Sequence, residues 1–245
     1  MSATAPLLRP GIRARFRLRR GRDRGYLVGA AMVALTVILP LIALLVISLS
    51  GTSANWRHLA ETILPEASRV TLLLMAGIAM LAGSVGVVTA WLVATFQFPG
   101  RRIFSWALVL PLAVPTYIAA YCFVEFLHFA GPIQTAIRSV FGFQSSRDYW
   151  FPEVRSLPGA IVILSSVLYP YVFLTVRMVF VMQGRKAGDV ARTLGASPAA
   201  VFGKVLLPMA RPAIAIGVAL ALMEAVNDIG AVEFLGVRTL TFAVY

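Results

Sequence analysis

Charge is scarce in this chain, and acidic charge scarcest of all. Ten acids stand against 22 Lys and Arg among 245 residues, and charged residues make up 13% of the total against 59% hydrophobic. Soluble domains carry about 25% charged and about 45–50% apolar residues. A chain with so few polar groups has no means of covering a water-facing surface, so its composition points to a membrane protein. Cysteine is nearly absent. Cys122 stands alone, which excludes an intramolecular disulfide and a cysteine-based zinc site, and it reads as a small buried hydrophobe. His58 and His128 have no ligand spacing and read as structural. A Walker A loop is also missing. It needs G-x-x-x-x-G-K-[ST], with backbone N–H groups cradling phosphate. The nearest fragment, Gly203-Lys204, is followed by Val205 and has Pro198 where the first glycine belongs. The chain therefore has no nucleotide site and no expected cofactor of its own.

Long apolar runs are what the chain does have. Residues 1–25 come first, a basic tail with Arg9, Arg13, Arg15, Arg17, Arg19, Arg20, Arg22 and Arg24 against Asp23 alone. The run at 26–49 is too long for a signal-peptide core of about 7–15 residues. It is long enough to span a bilayer at 1.5 Å per residue, which takes about 20 residues. Four more runs follow, at 70–96, 103–130, 157–182 and 212–226. The second is rich in small residues (Gly77, Gly83, Ser84, Gly86) that allow helices to approach closely in lipid. The third is interrupted by Pro111 and Pro115, and the fourth by Pro170. Prolines inside spans are tolerated where neighbours or cavity water satisfy the freed carbonyls. The fifth run is short and ends in Asn227 and Asp228. Trp56, Tyr149 and Trp150 fall near span ends and suit interface anchors. The segment 131–156 is long enough to hold a surface helix or to contact a partner protein.

With the tail inside and the spans alternating, sixteen of the 22 basic residues lie on the inner side and six on the outer. The positive-inside rule then puts the N-terminus in the cytoplasm. Attraction to anionic lipid explains the tail's arginines more simply than nucleic acid does. Five spans leave the last residues outside, with Thr239 onward resembling the approach to a further helix. Either the native chain is longer, which is the favoured expectation, or its end is a re-entrant segment.

The longest inner loop holds a distinctive pattern at 183–208. Val190 and Leu194 share one face of a short helix. Gly195 is the residue expected just past a helix C-terminus. Ser197 offers an N-cap oxygen and Pro198 suits the first helical turn. The result is a helix, a glycine-centred turn and a second helix running towards Pro208. Its spacing resembles the EAA signature of ABC-importer permeases, E-A-A-x-x-x-G followed by nine residues and I-x-L-P. The match runs Asp189-Val190-Ala191, Gly195, then Val205, Leu207 and Pro208, with Asp for Glu, Val for Ala and Val for Ile.

The resemblance implies an all-α, polytopic transmembrane bundle, the type I ABC-importer permease (MetI-like) fold. It would consist of a first transmembrane helix at 26–49 and a permease domain at 67–245, incomplete at its C-terminus. It implies a transport permease and no enzyme, in a bacterial inner membrane. The loop would dock on a cytoplasmic ATP-binding subunit pair, which supplies ATP and magnesium. Asp189 and Arg192 would make polar contacts with that ATPase, Ala191 would allow close approach, Gly195 would make the turn, and Val205, Leu207 and Pro208 would anchor the loop. A second permease half, fused or separate, and a periplasmic substrate-binding protein complete the expected partners, with membrane lipid around them.

The phrases Leu110-Pro111-Leu112-Ala113-Val114-Pro115-Thr116-Tyr117, Gly131-Pro132 and Glu224-Ala225-Val226-Asn227-Asp228 resemble the ferric iron permease group in particular. That resemblance implies iron as cargo and this chain as the N-terminal half. Thiamine, phosphonate, polyamine and sulfate permeases share much of the pattern. Four acids are candidates for the substrate pathway or for docking the binding protein: Glu125, Glu224, Asp228 and Glu233. Ionisable groups in apolar runs face a cavity or a partner, and carboxylate oxygens suit a hard cation. Pairing of Glu125 and Glu224 with helix neighbours is the structural alternative, and no metal site is assigned. A non-transporting scaffold would need no docking loop, and a passive channel would show more polar residues along every span.

Overall fold

The computed structural model describes residues 23–50, 59–184, 190–191 and 193–244. Among these residues every regular element is helical. The chain divides into two units, at Met1–Arg57 and His58–Tyr245. The first contains α1 (Asp23–Ser50), which includes Pro40. Apolar residues cover α1 all the way round, as in a span that meets lipid. Thr36 satisfies its hydroxyl on the Met32 carbonyl at 2.9 Å, one turn back. Trp56 lies outside the described residues.

The second unit opens with a π-helical turn, Leu59–Ile63, that runs into α2 (Leu64–Thr95). Pro65 sits in the first turn of α2, where its missing N–H has no partner to lose. After a turn at Gly100 come α3 (Arg101–Ala107), a 3-10 turn (Leu110–Ala113) and α4 (Thr116–Leu127). Next are α5 (Pro132–Phe141) and α6 (Leu157–Val179), with a π turn at Phe180–Gly184. Beyond the loop that carries the motif lie α7 (Pro198–Val201), a π turn (Phe202–Leu206), α8 (Leu207–Asn227), α9 (Ile229–Phe234) and α10 (Leu240–Val244).

Among the described residues, four stretches are long and apolar enough to cross a bilayer: Tyr26–Ile47, Leu59–Thr95, Leu157–Met182 and Pro198–Asn227. The run read as one span at 103–130 is bent, with Arg101–Ala113 and Thr116–Phe141 at 94°, the geometry of a broken span or a re-entrant loop. The cause is local. Pro115 forbids the helical region to the residue before it, and Val114 is extended at φ −100° and ψ 123°. The fifth run is also corrected. Pro212 does not start it, because the helical stretch extends from Pro198 to Asn227, with Pro212 inside α8. Pro170 likewise lies within an unbroken α6.

Helix α6 is the centre of the bundle, packed against α2 on one side and α8 on the other. Lipid gives helices little hydrophobic reason to associate, so close contact must come from shape. Val172 of α6 is fully buried. A Cβ on Gly86 of α2 would lie 2.6 Å from the Val172 Cβ, and one on Gly217 of α8 would lie 2.7 Å from its Cα. Two glycines thus clasp one valine. Gly77 makes the same kind of approach to Ile161, whereas a side chain at Gly83 would meet only ordinary contact.

Two apolar clusters result. One joins Leu74, Ile78, Leu164, Leu168, Ala221 and Val232. The other joins Val87, Val93, Phe173, Val176, Val201 and Leu206. At the chain's end the Leu240 N–H donates to the Thr71 hydroxyl at 2.8 Å, tying α10 to α2. Cys122 is exposed on α4, contrary to its expected burial. The buried face of α4 is a narrow strip of Thr116, Ala119, Ala120 and Val124, and Cys122 falls outside it.

The segment 131–156 does contain a helix, α5, which is strongly two-faced. Gln134 is buried on its inner side, donating to the Leu127 carbonyl at 2.7 Å and accepting from the Tyr149 hydroxyl at 2.6 Å. Arg138 donates to the Phe129 carbonyl at 2.7 Å and lies over the Phe129 ring at 4.1 Å. Val140, Phe141 and, beyond the helix, Trp150 are exposed.

Candidate coupling finger and translocation cavity

The loop that carries the motif forms a finger. Residues 190, 191 and 193 are helical, and the Leu194 N–H donates to the Val190 carbonyl at 3.3 Å. Gly195 has φ +82°, a backbone region that costs an L-residue roughly 1–2 kcal/mol. This reversal lets the Ala196 N–H reach back to the Ala191 carbonyl at 3.0 Å, the six-to-one bond of a Schellman end. Ser197 then caps the next helix, its Oγ accepting from the Ala200 N–H at 3.3 Å, with Pro198 in the first turn. Val190 and Leu194 are exposed, Leu194 by 83%. Ala191 and Ala196 pack against the second apolar cluster.

Asp189 and Arg192 lie outside the described residues. Gly195 is at the turn itself. Of the three residues named as anchors, Leu207 packs on the second cluster, while Val205 and Pro208 are half-buried. The buried anchors are Val201 and Leu206, which the motif passes over because neither belongs to its fixed spacing.

A second feature lies where the broken pair meets the end of α8. A cavity of about 370 Å³ is lined by Pro115, Thr116 and Tyr117 at the start of α4, by Tyr171 of α6, and by Glu224, Asn227 and Asp228. Glu224 and Asp228 share this wall one turn apart, and the Asp228 N–H donates to the Glu224 carbonyl at 3.1 Å. Asp228 also ends α8 and begins α9, its Oδ1 accepting from the Ala231 N–H at 2.9 Å. This bond places a carboxylate on the positive end of a helix, where its charge is partly offset. Glu125 and Glu233 are exposed and do not line the cavity. The structure thus brings together two of the four candidate acids. Among the described residues no group of three or more His, Cys, Asp or Glu is disposed to hold a metal ion. Thr116, Tyr117 and Tyr171 were not singled out from the sequence. The signal for the first two was Pro115, because a forced break leaves the next helix start facing whatever space the break opens.

Residues 84–244 match the family described as "Binding-protein-dependent transport system inner membrane component". The chain belongs to this family. The permease is 30% identical over 206 residues to the sulfate transport system permease protein CysT of Salmonella typhimurium, covering 83% of this chain and 70% of that protein. It is 32% identical over 197 residues to a probable sulfate transport system permease protein cysT of Chlorokybus atmophyticus, covering 80% and 66%. It is 30% identical over 220 residues to the sulfate transport system permease protein CysW of Escherichia coli, covering 85% and 69%. The permease thus spans about two thirds of the length of these relatives. The all-α, MetI-like fold and the multi-pass inner-membrane permease class follow from the family and the apolar helices, and such permeases are transport subunits and not enzymes. The resemblance to ferric iron permeases gains no support from these relatives, whose names specify sulfate.

Proposed function

We propose that this chain is a permease subunit of a bacterial ABC importer that carries sulfate or a similar tetrahedral oxyanion. The observation behind the cargo is the likeness, at about 30% identity over four-fifths of the chain, to relatives named for sulfate. A periplasmic binding protein delivers the anion, a second permease subunit completes the pathway, and a pair of cytoplasmic ATPase subunits grips the finger. Asp189 and Arg192 meet the ATPase through polar contacts, Ala191 permits close approach, Gly195 makes the turn, and Val205, Leu207 and Pro208 join the finger to the bundle. The tail and N-terminus lie in the cytoplasm, a reading supported by the distribution of Lys and Arg.

The cavity is compatible with an anion. Helix α4 begins on it at Thr116 and Tyr117, and the start of a half-helix carries partial positive charge suited to an anionic substrate. Asp228 is engaged as a helix cap. A second reading, ferric iron, draws on Glu224 and Asp228 lining one wall, since hard cations prefer oxygen ligands.

Uptake by the full complex in proteoliposomes, with binding protein supplied outside and ATP within, separates the two. On the sulfate reading, radiolabelled sulfate accumulates only with ATP and is competed by other oxyanions, and Glu224→Gln transports as well as or better than the parent. Accumulation of ferric iron without sulfate, abolished by Glu224→Gln, would establish the second reading instead.

A further inference from the structure

The finger meets the bundle through an aromatic contact that lies outside its signature. Phe202, one turn past the Ser197 cap, packs on Trp91 of α2 with ring centroids 4.4 Å apart and planes at 36°. Trp91 in turn meets Phe96 edge-on, at 5.2 Å and 76°. The end of α2 is itself held. Arg101 donates through Nε to the Val93 carbonyl at 2.7 Å and through Nη2 to the Ala94 carbonyl at 3.2 Å. These are carbonyls of the last turn, which lack helical partners and attract a cation.

The backbone around this contact is asymmetric. Helix α6 leaves the bundle through the π turn Phe180–Gly184, and α8 is entered through the π turn Phe202–Leu206. Such turns are wider than α-helix, are rare, and occur often at functional positions. Helix α2, by contrast, is α-helical without a break from Leu64 to Thr95. A displacement of the finger can therefore be taken up in the π turns of α6 and α8, but it reaches α2 through side chains. Ala191, Ala196, Phe202 and Trp91 all pack on the same cluster, the second, which draws on α2, α6 and α8.

We infer that the Trp91–Phe202 contact is the joint that locks the finger to α2, and that these two are positioning residues for coupling ATP hydrolysis to transport. The inference rests on the proposal that the finger is where the ATPase docks. Its consequence is mechanical. The finger and α2 move as one body, while the π turns flex.

The test uses the complete complex in liposomes. With Cys122→Ser as background, nitroxides at Val88→Cys on α2 and Ala199→Cys on α7 report the finger-to-α2 distance. That distance should stay the same between the nucleotide-free and the ATP–vanadate-trapped complex, and Phe202→Ala should make it state-dependent. This readout needs no knowledge of the cargo. In parallel, Phe202→Ala and Trp91→Ala should lower sulfate uptake per ATP hydrolysed by about five- to tenfold, the lower end of ordinary coupling between sites. The ATPase subunits should still co-purify, and Phe202→Tyr and Trp91→Phe should restore the ratio. A parental distance that changes between the two states would overturn the joint, as would unchanged uptake per ATP in both alanine variants. A parent complex with a constant distance but no sulfate uptake would refute the cargo and leave the joint standing. Failure of the ATPase to bind the parent chain through the finger would instead remove the reading on which the joint rests.

Discussion

At the scale of single residues, backbone conformation separates glycines that look alike in the sequence. Gly195 has φ +82°, whereas Gly203, eight residues on, has ordinary φ and no atom within 4 Å of where a side chain would sit. Gly195→Val should therefore destabilise the turn by roughly 1–2 kcal/mol and speed tryptic cleavage in the finger, while Gly203→Ala should leave cleavage unchanged. Asp148 offers a second residue-level test, away from the membrane spans. Its carboxylate accepts N–H bonds from Ser145 at 2.7 Å and Gln144 at 2.9 Å. These bonds favour the charged form, with Ser145 the larger contributor, and hold the group below the usual aspartate range. A depressed folded value means that the turn is at full strength above the ordinary aspartate pKa and weakens as pH falls through the lowered one. The carboxyl carbon resonance of Asp148 should titrate at lower pH than that of an unfolded peptide, and a midpoint at or above the peptide value would contradict this.

At the scale of elements, caps and prolines decide where helices begin and whether they continue. Ser197 starts a 30-residue helical stretch. Ser197→Ala should lower stability by about 1 kcal/mol, seen as a reduced melting temperature of the detergent-solubilised chain. The glycine turn, the Ser197 cap and Pro198 in the first turn were all legible beforehand, because each depends on residues within five positions of one another. The prolines were less legible. Pro111 and Pro115 sit in a run as apolar as the one around Pro170, yet the first pair coincides with a 94° bend and Pro170 with continuous helix. The difference lies in surroundings. Pro170 is fully buried in the helix that packs on both α2 and α8, whereas Pro115 lines an open cavity. Composition alone reports that a proline is present and not whether neighbours will hold the helix together around it.

At the scale of the whole molecule, the bundle depends on how closely three helices approach at one point. Gly86→Ala and Gly217→Ala each put a methyl group into space held by Val172. Each should cost about 1–3 kcal/mol by overpacking, with a lower melting temperature in detergent, while Gly83→Ala should be nearly neutral. Membrane class, the number of long apolar runs, the helix–glycine–helix finger and the family resemblance were all present in the linear order of residues. Hydropathy, charge balance and short-range motif spacing are local sums, and a bilayer reads them as such. Tertiary structure decided the rest. It made Val172 the valine that two glycines enclose, brought Glu224 and Asp228 together with Thr116 and Tyr117 while leaving Glu125 and Glu233 apart, and set Phe202 on Trp91 from 111 positions away in the chain. These pairings depend on the rotation and crossing of whole helices, which follow from packing in three dimensions and leave no periodic trace along any one segment.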